Sequence, residues 1–149
     1  MKNKNNIYAI CFFVLSLGLA FCSSSKQKIT EQKTEEYNGI KYIDLVSGSG
    51  NIPEIGKKVT INMIVTDDKG NEIENTFRNN KPVTFTVQPV DSDKLEVIIG
   101  LQEGLMTMKQ GGKRKIWVPP DKGFGSRTQR TIPPNSTLIF EIELIKVFS

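Results

Sequence analysis

The sequence predicts an α+β domain, with one short helix packed against several antiparallel strands. Three observations predict it. Apolar residues alternate at period two in several short runs, as half-buried strands do. Gly, Pro and Asp-Gly breaks separate those runs. Only one stretch supports a helix. The chain has 149 residues and no internal repeats, so a single folded domain is expected.

The first strand reads Ile40 to Val46 and is broken by Gly48, Gly50 and Pro53. The second reads Val59 to Thr66, with Ile61, Met63 and Val65 on one face. Asp67-Asp68-Lys69-Gly70 is a hairpin turn. Asn71 to Asn75 returns as a strand centred on Glu72-Ile73-Glu74, and Val83 to Val87 is a short strand with Val83, Phe85 and Val87 in phase. The helix reads Ile98 to Met106. It carries Gly100 and Gly104, and glycine costs ~1 kcal/mol relative to alanine in a helix interior. Packing against the sheet must therefore hold it. Gly112 to Val118 and Thr137 to Val147 are the last long strands. Alternation turns Trp117 away from Ile116 and Val118, and Lys113-Arg114-Lys115 reads as a solvated strand. Pro89, Pro119 and Pro120 punctuate loops.

Composition excludes several kinds of chemistry. Hydrophobic residues make up 38% and charged residues 24%, ordinary for a soluble domain. There is no histidine, and the only cysteines are Cys11 and Cys22. A disulfide framework, a thiolate metal cluster and a histidine acid–base switch are thus all excluded from the folded part. No metal and no cofactor are expected. The basic residues are scattered, which argues against nucleic acid as a partner.

The N-terminus reads as an address. Lys2 and Lys4 precede a mainly apolar run from Ile7 through Phe21, 15 residues long. That is a basic n-region and an h-region, short of the ~20 residues a membrane-spanning helix needs. Leu19-Ala20-Phe21-Cys22 resembles a bacterial lipobox, with Phe21 in the place usually held by a small residue. The division expected is a signal peptide over 1–21, a lipidated Cys22 opening a polar tether over 22–36, and a folded domain over 37–149. Loss of Lys2 and Lys4 with the signal brings the net charge from +4 to +2. A coil of ~14 residues reaches roughly 20 Å. The expected location is extracytoplasmic, lipid-anchored to a bacterial membrane in the periplasm or at the cell surface. The other readings are a signal cleaved without lipid and an uncleaved anchor.

Gly123 to Leu144 is the most distinctive segment. Gly123-Phe124-Gly125 leads through a polar loop to Ile132-Pro133-Pro134, then into an alternating strand. The prolines exclude helix and central sheet, so a rigid loop presents apolar groups beside a sheet. Upstream, in order, stand Gly70, Asn80-Lys81-Pro82-Val83-Thr84-Phe85, Glu96 through Gly104, Met108, Gly111 and Val118-Pro119-Pro120-Asp121. Together these motifs resemble the FKBP family, the macrolide-binding peptidyl-prolyl isomerases, from about Tyr37 to Ser149.

The resemblance implies a curved antiparallel β-sheet wrapped around the short α-helix. It implies rotation of X–Pro amides, whose barrier is ~18–20 kcal/mol, in proline-containing peptides or unfolded protein clients. No nucleophile, metal or cofactor is needed, and a monomer suffices. Carried over by position, the substrate pocket is Met63, Ile73, Glu74, Val83, Phe85, Val97, Ile98, Leu101, Phe124, Ile132 and Phe140. The Ile98 backbone N–H would hold a ligand carbonyl.

The family usually has Tyr at positions 63 and 124, Phe at 73 and 83, Asp at 74 and Trp at 101. Its Arg partner to the acid falls at Asn79, beside Arg78. Each lost ring removes about 150–250 Å² of wall, partly refilled by Leu, Ile and Met. These replacements imply weakened isomerase activity and poor macrolide binding. The alternative is a binding or chaperone-like module whose isomerase site has eroded.

Overall fold

A computed structural model describes residues 33–93 and 95–149. The signal, Cys22 and most of the tether lie outside the described residues. Seven strands and two helices follow in order: β1 (Glu35–Tyr37), β2 (Ile40–Val46), β3 (Lys58–Asp67), β4 (Glu72–Asn75), α1 (Thr76–Asn79), β5 (Val83–Thr86), α2 (Ile99–Leu105), β6 (Lys113–Val118) and β7 (Leu138–Val147). A single 3-10 turn, Pro120–Lys122, lies between β6 and β7.

The strands form one antiparallel sheet in the order β1-β2-β6-β7-β3-β4. β3 is paired with β7 from Val59 to Asp67. Its other edge is shared. β5 takes Lys58 to Ile61, and β4 takes Ile64 to Thr66. Between them the Met63 N–H donates to the Thr76 hydroxyl at 2.8 Å, so a side chain of α1 replaces a ladder partner.

Three elements depart from the sequence reading. β1 begins at Glu35, so Glu35 and Glu36 belong to the sheet rather than to the expected tether. The one-turn helix α1 was not foreseen. Asn75 caps it, its Oδ1 accepting from the Arg78 N–H at 3.1 Å, and Asn80 closes it at φ 48°. The third departure is Arg114. It is only 2% exposed, not solvated. Alternation places it on the same face as Ile116 and Val118, both fully buried. Its guanidinium is bidentate to Asp44, Nε to Oδ1 at 2.6 Å and Nη2 to Oδ2 at 3.0 Å. Nη1 donates to the Gly104 carbonyl at 2.9 Å and to the Thr107 hydroxyl at 2.7 Å. The group also lies 3.9 Å from the centre of the Tyr42 ring. A buried charge is tolerated only when so fully partnered. Here it also satisfies a carbonyl at the C-terminal end of α2.

The glycines of α2 have a packing reason. They stand four apart and so face the same way. A Cβ on Gly104 would sit 2.6 Å from Ile116 Cδ1, and one on Gly100 would collide with Val118. Their absence lets the helix backbone lie directly on β6. Trp117 is half-buried on the opposite face.

Candidate active site

A hollow of about 640 Å³ opens where the N-terminal end of α2 meets the sheet. Sheet residues form its base. Met63 and Val65 alternate on β3, while Leu138 and Phe140 alternate on β7. Val65 stands opposite Phe140 in register, so the four share one face. Leu101, one turn into α2 and 2% exposed, lines the hollow from the helix side. Val97 and Ile98 line the approach to the helix. Among the described residues, no group accepts a hydrogen bond from the Ile98 N–H.

The far wall is the loop after the 3-10 turn, carrying Phe124 and Ile132. Phe124 is fixed through its glycines. The Gly125 N–H donates to the Pro120 carbonyl at 2.8 Å, and the Asn135 N–H donates to the Gly125 carbonyl at 2.7 Å. Gly125 has φ 59°, a conformation glycine adopts without strain. Lys122 Nζ donates to Glu103 Oε2 at 2.6 Å, tying this loop to α2. Glu103 is buried, so the contact is shielded from solvent.

Of the eleven residues carried over by position, nine line the hollow: Met63, Ile73, Glu74, Val97, Ile98, Leu101, Phe124, Ile132 and Phe140. Val83 and Phe85 do not. β5 sets Val83 opposite Ile61 and Phe85 opposite Val59, beside the first half of β3, whereas the hollow sits on the second half. Phe85 is a core residue, 2% exposed. Arg78 does not take up the missing acid–arginine pair. It bonds to Glu72 at 2.8 Å, and Glu74 has no ion-pair partner among the described residues.

Sequence reasoning missed other lining residues. Val65 and Leu138 were recoverable, being in phase with Met63 and Phe140. Arg127, Gln129 and Arg130 lie in a loop without periodicity, and nothing local marked them. A second, polar cleft of about 330 Å³ adjoins the first, with Ile73, Glu74 and Arg130 common to both.

The family model described as FKBP-type peptidyl-prolyl cis-trans isomerase matches residues 50–145, which include the helix, β6, the Phe124 loop and most of β7. The chain belongs to this FKBP-type isomerase family. It is 38% identical to the peptidyl-prolyl cis-trans isomerase Fkbp12 of Drosophila melanogaster, covering 73% of this chain and 98% of that one. It is 39% identical to FK506-binding protein 4 of Dictyostelium discoideum, over 80% of this chain but 31% of that longer protein. Among solved structures, FkpA from Escherichia coli superposes with a TM-score of 0.68 at 34% identity, over 80% of this chain and 53% of that one. AtFKBP13 superposes at 0.67 with 27% identity, over 76% and 98%. The FKBP-type fold expected from sequence is thus the fold observed.

Proposed function

We propose that this FKBP-type chain isomerises X–Pro bonds in extracytoplasmic proteins, held near a membrane by lipid on Cys22. The observation that carries the catalytic part is the hollow itself, open, about 640 Å³, with Ile98 and Phe124 on its two walls. A planar amide has a large dipole from C–N resonance, and twisting the bond breaks that resonance and shrinks the dipole. Apolar walls such as Met63, Leu101, Ile132 and Phe140 therefore favour the twisted state over the planar one, relative to water. The Ile98 N–H, without an acceptor among the described residues, would hold a carbonyl of the substrate beside the proline. Cis and trans X–Pro differ by only ~0.5–1 kcal/mol, so the hollow changes rate and not outcome. Loss of the ring floor at Leu101 and of the hydroxyl at Phe124 supports a slow enzyme. Taken further, the same losses support the second reading, a client-binding module.

The test is a protease-coupled assay on an Ala-Leu-Pro-Phe peptide. Catalysis above background that Ile98→Asp abolishes is the expected result. A rate equal to the uncatalysed one at micromolar protein rejects the enzyme reading. Support for the location is the basic, apolar and cysteine-terminated leader, and mass spectrometry of the mature N-terminus tests it. A diacylglyceryl-modified Cys22 is expected.

A further inference from the structure

The mouth of the hollow carries charge that the isomerisation does not use. The chain has four arginines. Arg78 and Arg114 are bound to carboxylates. Arg127 and Arg130 form no ion pair or side-chain hydrogen bond among the described residues, and both line the hollow. The lining also holds Glu74 on β4, Glu96 ahead of α2 and Asp121 on the 3-10 turn, and none of these is paired with either guanidinium.

Arg130 occupies a position that turn geometry gives to glycine. Gln129 and Ile132 exchange backbone hydrogen bonds at 3.3 and 2.8 Å, leaving Arg130 and Thr131 as a two-residue tip. Arg130 has φ 52° there. Hairpin tips with such a φ favour Gly, Asn or Asp, and a long side chain is strained. Ile132, 5% exposed, anchors the tip from below and the double proline stiffens its exit. The result is a guanidinium held at the edge shared by the apolar hollow and the polar cleft. A guanidinium fork binds carboxylates through paired N–H groups.

We propose that Arg127 and Arg130 are specificity-determining residues that favour prolyl substrates with an acidic side chain next to the proline. This rests on the isomerase reading. The contact is exposed, so the preference is modest, about two- to five-fold in kcat/KM for Glu over Gln, and it falls with added salt.

The experiment uses the full chain and two peptide series, Ala-Xaa-Pro-Phe and Ala-Leu-Pro-Xaa, with Xaa as Glu, Gln or Lys. Catalysed exchange and binding are both read by NMR. In at least one series the order Glu, then Gln, then Lys is expected. Arg130→Gln and Arg127→Gln each reduce the Glu-to-Gln ratio, while Lys146→Gln, which removes the same charge from an exposed site on β7, does not. Arg130→Gly suits the turn better than arginine does, so it folds and still loses the preference. Ratios untouched by both arginine variants, with neutral peptides still turned over, overturn the proposal and leave the isomerase standing. Arginine-dependent binding of the Glu peptide without any turnover upholds the selectivity and rejects the isomerase. Absence of both binding and turnover rejects both.

Discussion

At Phe124 the proposed catalysis turns on a single missing atom. The ring lines the hollow, held by backbone hydrogen bonds around Gly125. A hydroxyl there would supply one hydrogen bond worth ~0.5–1.5 kcal/mol. If the bond strengthens as the amide twists, it multiplies kcat by up to about tenfold. Phe124→Tyr is therefore expected to raise kcat/KM, with KM moving little. A change confined to KM would mean that the hydroxyl holds planar and twisted amide equally. Val83 and Phe85 make the opposite case. Both were carried over by position and alternate correctly, but register is set by pairing across 20 or more residues and cannot be read from one strand. Phe85→Ala should thus cost ~3–5 kcal/mol in urea unfolding through the core, with kcat/KM of the folded fraction nearly unchanged.

Elements were most legible where one face is buried. The burial of β3 alternates residue by residue, as its apolar residues announce, whereas in β6 only Ile116 to Val118 announce theirs and buried Arg114 does not. β1 and α1 are three and four residues long, too short for periodicity to register. Helix α2 was legible in place but not in cause, since its glycines are explained only by β6 beneath it. Gly100→Ala gains ~1 kcal/mol of propensity, but its Cβ meets Val118, a branched and stiff side chain. A net loss of about 1–2 kcal/mol is expected, because overpacking costs ~1–3 kcal/mol. A rise in the urea midpoint would show that propensity, not close approach, governs this helix. The β3–β4 hairpin adds a pH signature. Hydrogen bonds to Asp67, first from the Asn71 side chain and then from the Asn71 and Lys69 N–H groups, hold its carboxyl below 3.8, while burial opposes them. The unfolded chain then binds more protons than the folded one in the acid range. The stabilisation is full above pH ~3.8 and is lost as pH falls through the folded value. Asp67→Asn should lower the urea midpoint at pH 6 and do so by less at pH 2.5. A gap independent of pH would assign the effect to shape rather than charge.

For the molecule as a whole, what the sequence hid is long-range. Arg114 reads as one of three consecutive bases, but its partner Asp44 is 70 residues away. Arg127 and Arg130 line the hollow from a loop that doubles back at Arg130 and Thr131. The boundary of the domain is hidden for the same reason. The stretch from Ser23 to Glu36 is polar and lacks aromatics, so composition alone assigns it to a tether. In the fold, Tyr42 donates its hydroxyl hydrogen to Glu35 Oε2 at 2.8 Å while its ring packs against the Arg114 guanidinium. β1 therefore covers one side of the buried charge network under α2. Two truncations separate tether from domain. A chain starting at Lys33 keeps β1 and should match the urea midpoint of one starting at Ser23, because the residues between are polar and carry little apolar surface to bury. A chain starting at Gly39 loses the Glu35 bond, worth ~0.5–1.5 kcal/mol, together with the β1–β2 ladder. Its midpoint should fall by more than that bond alone, since Tyr42 becomes free to leave the guanidinium. Equal midpoints for the two truncations would return Glu35 and Glu36 to the tether, and the domain would then begin at β2.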